Sequence, residues 1–246
     1  MLYQENIKGE IHMTQIYLFL FVVFVGAVLL RLLPDYIKFK GSNYHAVSGN
    51  NFFKTRFNTG NFGEFLTFSK LEKLKIPTKL LTNVYITKND GTTTEIDLMM
   101  IAQTGIYVFE SKNYSGWIFG DEKYKNWTQS LPNKQKSKFF NPIWQNKGHI
   151  SALTEELAIE KENLYKSYIV FSERCTLKKI TVTSPNVEVI NRGALIRTIK
   201  KDIMNSRHLL TVEEMNKIHK KLQPLSHMDD AVKVAHIAQV KAKRFK

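Results

Sequence analysis

The sequence predicts an α/β fold, ordered as helix, three-stranded meander, helix and strand. Helical additions follow at the C-terminal end, and one transmembrane helix precedes it. Three observations predict this. Residues 16–30 are apolar throughout and carry no charge, a run without period that suits lipid better than a half-buried face. Residues 79–112 alternate as strands do, between short turn sequences. Residues 61–76 and 142–157 instead space their apolar side chains as helices do.

Residues 1–15 form a short polar tail, and 16–33 is the transmembrane helix. Met13 to Leu33 is 21 residues, close to the ~20 that a helix needs to cross a bilayer. The tail carries Glu5, Lys8 and Glu10 in place of a basic n-region, and no small-residue cleavage site follows; both favour an uncleaved anchor over a signal peptide. Arg31, Lys38, Lys40, Lys54 and Arg56 come after the span. The positive-inside rule then predicts a single-pass protein of the cell membrane with its main domain in the cytoplasm.

Residues 34–59 read as a linker, with turn clusters at Gly41-Ser42-Asn43 and Gly49-Asn50-Asn51. A domain is expected over 60–172. Asn61 is placed as the N-cap of its first helix, which puts Glu64 in the first turn, where the helix dipole alone would favour an acid. A strand from Lys79 to Thr87 ends at the hairpin turn Lys88-Asn89-Asp90-Gly91. Tyr114 to Leu131 reads as an extra hairpin or loop that packs aromatics. Lys134, Lys136 and Lys138 follow as a charge run beside Trp127, Phe139 and Phe140; it is either a solvated connection or a basic patch tracking a nucleic-acid strand. Pro142 opens a helix, and Lys166 to Ser172 is a buried strand. Residues 173–246 form an extension of mixed strand and helices. It includes a Thr211-x-x-Glu214 capping box, and 229–246 is a basic helix or frayed tail that could lie on anionic lipid.

The chemistry gathers between Glu95 and Asn113. Two strands there fold back at Gln103-Thr104-Gly105. Ile106, Val108, Glu110 and Lys112 share one face of the second strand, and the fold-back brings Asp97 within a residue or two of Glu110. Burying a carboxylate costs several kcal/mol unless it is paired or holds a metal. A structural ion pair with Lys112 explains one acid. A divalent cation explains both, because hard cations take carboxylate oxygens.

The whole-chain balance bounds the partners. The 246 residues are 43% hydrophobic and 24% charged, which are globular values. Lys and Arg number 36 against 22 Asp and Glu, a formal net charge of +14. That favours anionic partners, nucleic acid or an acidic membrane surface. The single cysteine, Cys175, excludes an internal disulfide and a cysteine-based zinc site.

An acid in the first helix, an acid on the second strand and Glu-x-Lys on the third resemble the PD-(D/E)xK nuclease superfamily. Gly63-Glu64, Glu95-Ile96-Asp97, Glu110-Ser111-Lys112-Asn113 and Asn141-Pro142…Gln145-Asn146 resemble more closely its nuclease-related domain, NERD, over about Thr59 to Leu157. The resemblance implies a restriction-endonuclease-like core and a membrane-anchored nuclease that hydrolyses phosphodiester bonds, DNA above all. It implies Mg²⁺ or Mn²⁺ held by Asp97 and Glu110 with Glu64 as a further ligand. Lys112 would act on the attacking water and the phosphate, and Gln145 would face the site. Asn113 and Asn141 are expected to fix turns. The alternative is a non-catalytic nucleic-acid-binding module on the same scaffold.

Overall fold

A computed structural model describes residues 2–226, with side chains from residue 13 onward. The basic tail of 229–246 and the side chains of Glu5, Lys8 and Glu10 lie outside the described residues. The chain divides into two units, Met1–Ser42 and Asn43–Lys246.

The first unit is one helix, α1 (Leu2–Lys40). Its stretch Met13–Lys40 has a mean hydropathy of 2.7 over its most apolar window and is long and apolar enough to cross a membrane. Phe19, Phe21 and Phe24 stand about two-thirds exposed, at 66%, 63% and 66%. The helix continues through Pro34, where the sequence suggested the start of a linker.

The second unit opens on helices as well: α2 (Tyr44–Ser48), α3 (Phe52–Phe57) and α4 (Thr59–Leu71). The stretch expected to be a linker is therefore largely helical. The cap of α4 is Asn58, whose side chain accepts the Asn61 amide at 3.0 Å, so Asn61 is inside the helix and not its cap. Glu64 thus sits in the second turn, where the dipole has faded. Burial places Phe65, Phe68 and Leu71 on one stripe, and Tyr44 of α2 packs its ring on both phenylalanines with centroids 5.4 Å apart.

The meander follows: β1 (Thr78–Thr87), β2 (Thr93–Ala102) and β3 (Gly105–Lys112). Next come β4 (Gly116–Asp121), β5 (Asn126–Ser130) and β6 (Lys136–Phe140), then α5 (Pro142–Leu157). The chain continues as β7 (Tyr165–Phe171), β8 (Cys175–Thr181), β9 (Val187–Asn191), α6 (Leu195–Asn205) and α7 (Val212–Leu222). The strands form two sheets, ordered β1-β2-β3-β7-β9 and β6-β5-β4-β8.

The first sheet is antiparallel through the meander and parallel from β3 onward. Such a crossover needs a helix on a face, and α5 supplies it. Ile106 and Val108 pack with Ala152 and Leu153 of α5. The other face of β3 presents Tyr107 and Phe109, packed at a tilt against Tyr168 with ring centroids 5.7 and 5.5 Å away, and Ser111, 3.2 Å from Thr67 of α4. The alternation of β3 thus sets Glu110 and Lys112 toward α5.

The second sheet is larger than the extra hairpin that the aromatics suggested. It gains β6 from the lysine run and β8 from the extension. Its inner face packs Ile118, Trp127 and Phe139 against Ile143 and Phe171. Gly120 leaves room for that packing, since any side chain there would run into the indole of Trp127. The Thr211–Glu214 capping box opens α7 as expected.

Candidate active site

The site lies where β2, β3, α4 and α5 meet. The register pairs Leu98 with Phe109, and one further step sets Asp97 opposite Glu110. Glu110 is 2% exposed. Its Oε1 lies 2.7 Å from Lys112 Nζ and its Oε2 lies 3.3 Å from His149 Nε2. That His149 approach falls short of a well-aligned hydrogen bond. The other ring nitrogen of His149 is fixed by Thr94 Oγ1 at 2.7 Å. Lys112 donates a second bond to Gln145 Oε1 at 2.9 Å. Gln145 and His149 stand one turn apart on α5, so they share a face.

Around this pair stand Glu64 from α4, Glu95 and Asp97. Glu95 Oε1 accepts the Tyr85 hydroxyl at 2.6 Å. The charges respond to one another. Burial would raise the carboxyl of Glu110, but the Lys112 ammonium with His149 beside it outweighs burial and brings it down to about 2. Burial would lower Lys112, and the Glu110 carboxylate instead raises it. Glu64 is pushed up to about 8 by burial, then by the charges of Glu95 and Glu110. Asp97 is held well above the carboxylate range by burial, then by Glu110, Glu64 and Glu95, against the opposing pull of Lys112. Both acids keep some exposed area while lying among enough protein to be poorly hydrated.

Two carboxylates that resist ionisation beside a third that is fully ionised describe a site short of positive charge. The donors are oxygens of hard, anionic groups, the kind that Mg²⁺ and Mn²⁺ take. In donor chemistry and charge the residues therefore fit a divalent cation. As they stand, no three Asp, Glu, His or Cys side chains among the described residues close on a common point. The oxygens of Glu110 face Lys112 and His149 instead. Asp97, Glu110, Lys112 and Gln145 are brought together, with Glu64 within reach of their charge.

The sequence had not singled out His149, Tyr85 or Tyr44, whose phenol is raised by burial and then by the charge of Glu64. His149 had one legible signal, its position one turn after Gln145. Asn141 and Asn113 do fix the backbone. Asn141 caps α5 through the Ile143 amide at 2.9 Å and donates to the carbonyls of Asp121, Glu122 and Tyr124. Asn113 donates to the Thr59 carbonyl at 2.7 Å. Asn146 ties α5 to β3 through the Val108 carbonyl and to Ser167 of β7, at 2.9 and 2.8 Å.

Lys134, Lys136 and Lys138 lie apart from the acids. Lys134 is in the β5–β6 turn with φ of 64°, while Lys136 and Lys138 are on β6, exposed. The aromatics beside them divide. Trp127 and Phe139 belong to the inner core, and Phe140 alone is exposed, at 45%.

A cleft of about 800 Å³ lies elsewhere, lined by Lys166, Tyr168, Arg197 and Asp202. Its buried charges satisfy one another: Lys166 Nζ donates to Asp202 and to Ser206, both at 2.6 Å, and the Tyr168 hydroxyl donates to Asp202 at 2.6 Å.

The nuclease-related domain profile matches residues 59–172, which hold every acid of the site. An uncharacterized protein of Bacillus anthracis is 36% identical over 181 residues, covering 72% of this chain and 82% of that protein. No solved structure matches the chain.

Proposed function

This chain belongs to the nuclease-related domain family, and from that premise we propose that it is a membrane-anchored, divalent-metal-dependent nuclease that hydrolyses phosphodiester bonds of DNA. The core is then of the restriction-endonuclease-like type. The apolar helix α1 would anchor it in the cell membrane, and the cations that follow the span support a cytoplasmic main domain by the positive-inside rule. The observation that carries the reading is the acid group: Asp97 and Glu110 beside Lys112, with Glu64 within reach of the Glu110 charge.

Asp97 and Glu110, with Glu64, would hold Mg²⁺ or Mn²⁺. Such a cation supplies an activated water and relieves charge on the phosphate. The residues of the chain do the remaining work. Lys112 presents an ammonium that stays protonated because Glu110 faces it, so it meets an anionic phosphate as a full charge. Gln145 fixes the tilt of that ammonium. His149, held by Thr94, keeps Glu110 ionised. Lys136 and Lys138, with Lys134 in the adjoining turn, face the nucleic-acid backbone.

The test is incubation of the full chain in detergent with single- and double-stranded DNA and RNA, with Mg²⁺ or Mn²⁺. Cleavage that Lys112→Ala and Asp97→Asn both abolish is expected. Absence of cleavage on every substrate with both metals overturns the proposal. A second reading, a nucleic-acid-binding module without catalysis, is favoured by one observation: both Glu110 oxygens face protein groups and the acids do not close on a point. Salt-sensitive binding that is indifferent to EDTA and to Asp97→Asn identifies that case.

A further inference from the structure

The second sheet has two unlike faces. The inner one is core. The cross-strand register fixes the outer one: Lys136, Ser130, Trp117 and Thr176 form one row across β6, β5, β4 and β8. Lys138, Thr128, Phe119 and Lys179 form the next. The register shifts between Ile118 and Phe119, and Lys178 there brings its Nζ to 4.8 Å from the centroid of the Trp117 ring. Trp117 is 51% exposed. Asp121 is the sole acid on these four strands. It stands at the far end of β4, with Oδ1 engaged by the Lys123 amide at 2.8 Å.

We propose that this outer face binds single-stranded nucleic acid, with a base stacked on Trp117 and the backbone tracked by Lys136, Lys138 and Lys179. The choice of occupant rests on the nuclease reading above, which this deepens by naming the form of the substrate. Lysines alone would serve any polyanion, but an exposed indole in the same row as Lys136, with Lys138 and Lys179 in the next, serves a polyanion that carries flat rings. In a duplex those rings are stacked inside and only phosphates reach a flat sheet. The cation–π contact of Lys178 on an exposed ring is the weaker interaction, so an incoming base can displace it. Charge complementarity is complete within the two rows, which hold no acid. Trp117 follows Lys112 by five residues, at most ~17 Å of extended chain at about 3.3 Å per residue.

The test uses the full chain in detergent and EDTA, so that binding is read without cleavage. The probes are a dye-labelled oligothymidylate, a blunt duplex of equal length, inorganic polyphosphate and phosphatidylserine vesicles. Trp117→Ala is expected to weaken oligothymidylate binding about tenfold and to leave duplex and polyphosphate binding unchanged. Trp117→Phe, which keeps a ring, is expected to retain most of the affinity. Replacing Lys136, Lys138 and Lys179 together with Ala is expected to reduce the log–log salt slope by about 2, at ~0.7 per single-strand phosphate contact. Unchanged oligothymidylate binding by Trp117→Ala overturns the proposal, as does an equal loss for polyphosphate. Vesicle binding that depends on Trp117, with no oligothymidylate binding, overturns it in favour of a lipid face. If binding behaves as expected and no metal supports cleavage, the nuclease reading falls alone. If cleavage occurs and Trp117 is inert, this proposal falls alone.

Discussion

Lys112 Nζ and Glu110 Oε1 lie 2.7 Å apart on one face of β3, two residues from each other, and each holds the other in its charged form.

Lys112→Ala is therefore expected to do two things. It abolishes cleavage, and it leaves Glu110 as an unpaired buried carboxylate, a loss of about 3–5 kcal/mol. Chemical denaturation in detergent measures the second effect. Lys112→Ala combined with Glu110→Gln should recover a large part of the stability and none of the activity. A single substitution that costs no stability refutes the pairing.

Glu64 gives a pH dependence whose sign is fixed. Its native pKa, about 8, lies above its ordinary value of 4.5. Between those values the native state keeps a proton that the unfolded chain has released, so metal-free stability falls as pH rises through the window and levels off above about 8. Asp97 acts in the same direction. In EDTA, Tm is expected to drop from pH 5 to pH 8, with a shallower drop for Glu64→Gln. A saturating divalent cation should replace the proton and remove the slope. A flat Tm in EDTA contradicts this.

His149 acts through Glu110. His149→Gln should lower kcat about 10- to 100-fold, as loss of a group that supports a metal-binding carboxylate does. It should also move the acid limb of the pH–rate profile upward, because Glu110 loses one of the groups that keep its carboxyl low. A lower rate with an unmoved limb would make His149 structural only.

Asn141→Ala removes the cap of α5 and takes the side-chain donor from the Tyr124 carbonyl, while the Asp121 and Glu122 carbonyls keep bonds from the Trp127 and Trp144 indoles. A loss of about 2 kcal/mol is expected from the cap and that one carbonyl together. Denaturation reads it directly, and a change under about 0.5 kcal/mol would assign the cap's work to Pro142.

The hairpin was legible because its information is local. Gly105 sets the turn, period-two alternation sets the faces, and the pairing of Asp97 with Glu110 follows by counting. Gln145 was legible as a residue of α5, and it meets Lys112. His149 was not, because its partner Glu110 lies on a strand far upstream and its one local signal, the helical spacing from Gln145, names no partner. β6 was hidden because Lys-Ser-Lys-Phe-Phe puts lysines on its outer face and reads as a charge run. β8 was hidden by its register shift, which sets Lys178 and Lys179 side by side and breaks the alternation. The start of α4 was misplaced because Asn58 and Asn61, three apart, both look like caps, and only the amide of the second donating to the first decides between them.

β4 takes β8 as its parallel neighbour, Gly116 beside Cys175 through to Asp121 beside Thr181. The region matched by the nuclease-related profile stops at 172, just short of that neighbour. A chain cut there would bare a row of amides and carbonyls along β4, the kind of open border that invites self-association. On the ribosome, the same hairpin must wait for some fifty further residues before its border is sealed, which makes it a slow and vulnerable step of folding.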